Sequence, residues 1–150
     1  MKAGVAYMGE RMMLVRDVMT REIVTVDEGE SLALVEEGIE KSHFRHLPVV
    51  DGKRLVGLIT HRDMLRLSSS PLDAESKMRE EGLMEFTYVK DVMKTEFPTV
   101  MEHTPLVEAA TMMRDQKPGC VPIVNDDGEL VGIVTMTDLI SLAIRFLGGK

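Results

Sequence analysis

The sequence predicts a mixed α/β (α+β) fold made of two tandem β-α-β-β-α units packed with pseudo-twofold symmetry. Three observations predict it. The chain repeats itself, each copy sets short apolar strands beside amphipathic helices, and neither copy is large enough to bury both faces of its own sheet.

The repeat is direct. Val15-Arg16-Asp17-Val18-Met19 returns as Val89-Lys90-Asp91-Val92-Met93, an offset of 91 − 17 = 74. At the same offset Thr25-Val26 returns as Thr99-Val100, and Leu47-Pro48-Val49-Val50 as Val121-Pro122-Ile123-Val124. One residue is then inserted, between Asp51-Gly52-Lys53-Arg54 and Asn125-Asp126-Asp127-Gly128-Glu129. After it, Leu55-Val56-Gly57-Leu58-Ile59-Thr60 matches Leu130-Val131-Gly132-Ile133-Val134-Thr135 at offset 75, and Asp63 matches Asp138. Sixteen of 47 aligned positions are identical, where ordinary residue frequencies give roughly three.

Each element follows from local pattern. Ile23 to Val26 and Phe97 to Val100 read as short strands after a Val-Met turn. Leu32, Val35 and Ile39 fall at i, i+3 and i+7, which places one apolar helical face on Ser31 to Lys41. In the second copy Thr104-Pro105 reads as a cap followed by proline at the first helical position. Leu106, Ala109, Ala110 and Met113 then share a face. Two hairpins follow, Leu47–Val50 with Leu55–Thr60 and Val121–Val124 with Leu130–Thr135, each turn carrying Asp-Gly. A closing helix runs from about Arg62 to Leu67 and from about Thr137 to Leu147. The domain reading is a tail over 1–13, a first repeat over 14–67, a linker over 68–87 and a second repeat over 88–147. Ser68-Ser69-Ser70-Pro71 is a breaker cluster, and Asp73 to Leu83 reads as a short charged surface helix.

Composition narrows the function. The 150 residues are 44% hydrophobic and 29% charged, which argues for an ordered core. A net charge of −7, 4% aromatic residues and no Trp argue against nucleic acid as a partner. The single cysteine, Cys120, has no partner for an internal disulfide, and no apolar stretch reaches membrane-spanning length. A cytoplasmic protein without a membrane partner is the expectation. The 13 methionines read chiefly as adaptable core filling.

With these words in order, the chain resembles the CBS domain, twice. The first copy has Val-Met-Thr, Thr-Val, Leu-Pro-Val-Val-Asp and Val-Gly-Leu-Ile-Thr-His-Arg-Asp. The second has Val-Met, Thr-Val, Val-Pro-Ile-Val and Val-Gly-Ile-Val-Thr-Met-Thr-Asp. The resemblance covers about Leu14 to Leu67 and Tyr88 to Leu147, and is to a stand-alone prokaryotic CBS domain pair (Bateman module). It implies a non-catalytic regulatory module that senses an adenosyl ligand in clefts between the repeats and signals to a separate, unidentified protein. AMP, ADP or ATP is the expected regulatory ligand, with S-adenosylmethionine or NAD(H) behind them. It also implies a homodimer, formed through exposed helices. The alternative is a ligand-free interaction or dimerisation module.

The residues themselves suit that chemistry. Asp63 and Asp138 stand three residues after a strand-ending Thr60 or Thr135. A carboxylate there accepts both hydroxyls of a ribose, with Arg62 and Thr137 one residue before it. The alternative is that the two aspartates merely cap or charge-match their helices. By the resemblance, Met19, Val24, Met93 and Pro98 stand near the adenine, though core packing explains them as well. The segments before the Pro strands differ: Phe44-Arg45-His46-Leu47 in one copy, Pro118-Gly119-Cys120-Val121 in the other. The resemblance gives them backbone contact with adenine, and Arg45 and His46 reach toward phosphate. One cleft then joins Met19, Val24 and Phe44–Leu47 to Thr135, Thr137 and Asp138. The other joins Met93, Pro98 and Gly119–Val121 to Thr60, Arg62 and Asp63. His43, His46, His61 and His103 form no metal-ligand spacing, and Cys120 has no His-acid pair to make it a nucleophile. No metal site and no enzyme activity are expected.

Overall fold

A computed structural model describes residues 7–8, 11–42, 44–67, 82 and 85–150. The chain forms two compact units that are not the two sequence copies. One unit is the contiguous stretch Val24–Glu96, and the other joins Met1–Ile23 to Phe97–Lys150. The Val-Met segment of each copy has therefore crossed to the hairpin of the other copy.

In the contiguous unit, β3 (Val26–Asp27) lies parallel to β4 (His46–Asp51), and β4 pairs antiparallel with β5 (Arg54–Thr60). Two helices, α1 (Leu32–Ser42) and α2 (His61–Leu67), follow β3 and β5. Gly52 supplies the positive φ of 62° that the tight β4–β5 turn needs. Leu32, Val35 and Ile39 bury together with Leu47, Val49, Ile59, Met64 and Val89. Val89 begins the short helix α3 (Val89–Val92), which arrives from the second sequence copy. Backbone bonds fasten this segment: Val89 N donates to Glu30 O, while Leu58 and Lys94 exchange N–H···O bonds of 2.9 Å. Gly57 is glycine because Met93 lies flat on it; a Cβ there would collide with Met93 Sδ.

The discontinuous unit repeats the scheme. A one-turn 3-10 helix at Val15–Asp17 stands where α3 stands in the other unit. The helix α4 (Leu106–Gln116) precedes a hairpin of β6 (Cys120–Val124) and β7 (Leu130–Thr135), and α5 (Met136–Phe146) closes it. Thr20 and Ile133 exchange backbone bonds of 2.9 and 3.0 Å, matching Lys94 and Leu58. A Cβ on Gly132 would lie 2.6 Å from Met19 Sδ. Val15, Met19, Val100, Ala109, Met113, Val121, Ile123 and Val134 form the core. Both hairpins shift register at the equivalent step, Val49/Val50 and Ile123/Val124. The inserted residue in the second turn is absorbed by Asn125, whose Oδ1 accepts from Asp127 N and Glu129 N at 3.0 Å each. Near the start of the chain, β1 (Tyr7–Met8) and β2 (Arg11–Met12) form a small hairpin, and Met13 is buried with Leu106 and Leu142.

Three local expectations change. The strand expected at Ile23 to Val26 is only Val26–Asp27, and Phe97 to Val100 contributes a single bridge, Val100 with Ile123. Pro98 has no N–H to give to a ladder, so pairing begins past it. The start of α4 is displaced by one residue: Pro105 is the cap residue, with ψ at 132°, and the helix begins at Leu106. Thr104 instead accepts a bond from Met101 N through its hydroxyl, at 3.1 Å. The helix expected over Asp73 to Leu83 falls almost wholly outside the described residues, as do most of the tail and linker.

Candidate functional site

Each unit ends its hairpin in the same device. Where β5 runs into α2, Asp63 Oδ2 accepts from Thr60 N at 3.0 Å and from Thr60 Oγ1 at 2.8 Å; the Asp63 amide points back to Thr60 Oγ1 at 3.2 Å. Where β7 runs into α5, Asp138 Oδ2 accepts from Thr135 N at 2.7 Å and Thr135 Oγ1 at 3.0 Å, and Asp138 N returns to Thr135 Oγ1 at 3.4 Å. This reciprocal capping box satisfies the open backbone donors of the turn. It uses one carboxylate oxygen in each case and leaves Oδ1 facing outward from the box.

The two Oδ1 atoms meet different groups. Thr20 Oγ1 donates to Asp138 Oδ1 at 3.1 Å. Lys94 Nζ stands 3.4 Å from Asp63 Oδ1. Thr20 and Lys94 are equivalent positions of the repeat, 74 residues apart, and both are carried in on the crossed segment. Burial, which leaves the Asp63 side chain only 16% exposed, pushes its carboxyl up. The two Thr60 hydrogen bonds and the nearby Lys94 ammonium outweigh it and hold the group below its ordinary range. Sequence reasoning missed both Thr20 and Lys94. They directly follow the Val-Met word, but the two residues differ, so the repeat did not mark them.

The remaining residues distribute as follows. His46 is cross-strand partner to Thr60, and Arg45 O accepts from His61 N at 2.9 Å. Arg45, His46, His61, Arg62 and Lys94 thus share the contiguous unit with Thr60 and Asp63. Burial first, and then the charge of Arg45, lowers the His46 pKa. In the discontinuous unit Cys120 is cross-strand partner to Thr135. Thr137 is exposed, Gly119 sits at φ 84°, and Pro98 is half-buried. Met19, Leu47 and Val121 are core residues, and Met93 packs against a core from its edge. Val24 is exposed and belongs to the contiguous unit. Burial pushes the Cys120 thiol up to about 12, so almost none of it is thiolate at neutral pH. Among the described residues no group of three His, Cys, Asp or Glu side chains is placed to hold a metal; His43 lies outside them.

The CBS domain family model matches residues 15–70 and 89–145. The chain belongs to the CBS-domain family. Its two matches make it a CBS pair, a module of the regulatory, non-catalytic kind. It is 31% identical over 136 residues to a CBS domain-containing protein of Dictyostelium discoideum, covering 90% of this chain and 94% of that protein. Among solved structures it is similar to CBSX2, a CBS-pair protein of Arabidopsis thaliana, in complex with AMP. There the identity is 26% and the TM-score 0.74, over 89% of this chain and 97% of the other. It is also similar to the CBS pair of protein MJ0100 in complex with 5′-methylthioadenosine and S-adenosyl-L-methionine. That likeness has 26% identity and a TM-score of 0.69 over 87% of this chain and 99% of the other. Some relatives are much longer: the chain spans 46% of one Methanocaldococcus jannaschii protein and 22% of that organism's inosine-5′-monophosphate dehydrogenase. No helix among the described residues is long and apolar enough to cross a membrane.

Proposed function

We propose that this CBS pair senses an adenosyl ligand of the AMP, ADP or ATP class and passes its bound state to a separate protein. The observation that carries the reading is the duplicated Thr-x-x-Asp box, in which one carboxylate oxygen closes the turn and the other, which takes the Thr20 hydroxyl at Asp138 and faces Lys94 Nζ at Asp63, has a further lone pair for a sugar hydroxyl. A ribose hydroxyl donating to Oδ1 makes a charge-assisted bond. Two structural relatives carry adenosyl compounds, AMP in one and methylthioadenosine with S-adenosylmethionine in the other. Calorimetry with AMP, ADP, ATP, S-adenosylmethionine and NADH tests it. Binding is expected, with a stabilisation of roughly 2.7 kcal/mol at a hundred times Kd and a melting shift of roughly 5–10 °C. Absence of heat and of thermal shift across the whole panel ends the sensor reading.

A second reading, an interaction module, is favoured by α5. Met136, Ile140 and Ile144 form a stripe at i, i+4 and i+8 and are 47%, 54% and 45% exposed; Phe146 and Leu147 extend it. An apolar stripe of this kind suits an interface, and we assign it to a homodimer that coexists with ligand sensing. Light scattering at micromolar concentration distinguishes the cases: a dimer is expected, and a monomer with and without nucleotide removes the assignment.

A further inference from the structure

We propose that Thr20 and Lys94 set how each carboxylate reads a sugar: Thr20 lets the Asp138 end accept both hydroxyls of a ribose, and Lys94 restricts the Asp63 end to one. The proposal rests on the adenosyl-sensor reading and deepens it. Each carboxylate and its neighbour belong to a single unit, Thr20 with Asp138 in the discontinuous one and Lys94 with Asp63 in the contiguous one. Either contact is therefore fixed inside its unit, whatever else completes the cleft. The clefts expected from the sequence join Met19 to Asp138 and Met93 to Asp63, and Thr20 and Lys94 are the residues that follow those two methionines.

An ionised carboxylate only accepts, and its two oxygens together offer about four lone-pair positions. At each end Oδ2 already receives two bonds, one from the threonine amide and one from the threonine hydroxyl of the capping box. What is left lies on Oδ1, and it matches the need of a ribose, whose 2′ and 3′ hydroxyls each have one proton to place. In both units a neighbour takes part of it, and the chemistry of that neighbour decides the rest. At Asp138 the neighbour is a hydroxyl, Thr20 Oγ1, which donates to Oδ1 at 3.1 Å. A hydroxyl that has spent its proton still has lone pairs to accept with. One sugar hydroxyl then donates to Oδ1 and the other to Thr20 Oγ1, so both protons find an acceptor. At Asp63 the neighbour is the Lys94 ammonium, 3.4 Å from Oδ1. An ammonium has three donors and no acceptor. One sugar hydroxyl can still donate to Oδ1, but Lys94 offers the second nothing to donate to. Both side chains are exposed, and the bonds that seat their segments, Thr20 with Ile133 and Lys94 with Leu58, are made by the backbone. Changing either side chain therefore leaves its segment in place.

The test is calorimetry on the full chain with AMP, 2′-deoxy-AMP and 3′-deoxy-AMP. Asp63→Asn isolates the Asp138 end and Asp138→Asn isolates the Asp63 end; asparagine keeps an acceptor for the capping box. Adenine and phosphate are common to the three compounds, so ratios of affinity report the sugar alone. At the Asp138 end both deoxy forms are expected to bind more weakly than AMP, one by roughly 10- to 100-fold for a lost charged bond and the other by roughly 3- to 10-fold for a neutral one. At the Asp63 end one deoxy form should show the larger loss and the other should bind within about 2-fold of AMP. Adding Thr20→Val to the first background should erase the smaller loss, and Thr20→Ser should keep it. Adding Lys94→Thr to the second should create a second loss of roughly 3- to 10-fold. A merely structural role for either residue would weaken all three compounds alike and leave the ratios unmoved. If both deoxy forms are discriminated at the Asp63 end while Lys94 is present, or if the ratios do not change in Thr20→Val and Lys94→Thr, the assignment is overturned and the sensor reading stands. If the parent chain binds none of the three compounds, the sensor reading and this inference fall together.

Discussion

The contiguous and discontinuous units share a backbone plan down to the register shift in the hairpin, the methionine on the glycine and the capping box at the strand end. They differ in what borders that box. One carboxylate looks at an ammonium, the other at a hydroxyl. The shared features are those that packing and backbone hydrogen bonding demand, so they survive duplication. The differing ones sit on the exposed rim, where a substitution costs little stability and is free to set chemistry.

The largest test of the equivalence is in the cores. Leu32 and Leu106 are the same residue at matched positions, 2% and 3% exposed. Leu32→Ala and Leu106→Ala should each cost about 2–5 kcal/mol, read as a lowered denaturation midpoint. Leu106 packs with Met13 and Leu142 in a smaller cluster of its own, so a smaller loss there sharpens the comparison. A negligible loss at either position breaks it.

The crossed methionines come next. Gly57→Ala and Gly132→Ala both push a Cβ into a thioether. Each should cost roughly 1–3 kcal/mol by overpacking, and shortening the facing Met93 or Met19 to Ala in the same chain should recover part of it. Thermal melts of the singles and doubles check this. An additive double would show that the methionine does not press on the glycine.

Smaller effects belong to the rim. The depressed Asp63 carboxyl adds stability that is fully present above the ordinary Asp pKa and is lost as pH falls through its folded value. Lys94→Thr should narrow that acid-sensitive window and cost no more than about 1 kcal/mol at neutral pH, since Lys94 is half exposed. Urea unfolding from pH 2 to 7 checks this; an unchanged acid limb means the lysine does not act on the carboxylate. His46 is smaller still. Its lowered pKa means stability present above the ordinary His value and lost as pH falls through the folded one. Removing the Arg45 charge with Arg45→Gln should raise the His46 pKa slightly, visible by NMR titration, while burial keeps it below the free value.

Much of this was legible in the sequence because duplication marks whatever both copies need. The hairpins, the two glycines and the Thr-x-x-Asp boxes were visible as repeated words, and the helix faces at Leu32 and Leu106 as apolar spacing. The crossing of the Val-Met segments was not. A repeat says which residues are equivalent, but the choice between pairing Lys94 with Leu58 or with Ile133 is tertiary, and both partners carry nearly the same local sequence. Lys94 was overlooked for the complementary reason: function that distinguishes two copies lies where they disagree, at positions a search for identity passes over. Proline chemistry was read correctly in kind but one residue early at Thr104-Pro105, because Thr104 spends its hydroxyl on Met101 N.

The crossing also orders the birth of the protein. The unit Val24–Glu96 is one unbroken stretch, complete as soon as Lys94 has left the ribosome to pair with Leu58. The other unit must hold its opening segment in reserve until Ile133 arrives to receive Thr20. The 73 residues from Val24 to Glu96 intervene (96 − 24 + 1). Left as loose chain, those residues would make that closure slow and entropically costly. With the core of that unit already formed, fewer of those residues are loose and the closure costs less. Translation therefore favours the middle of the chain first and its two extremities together, last.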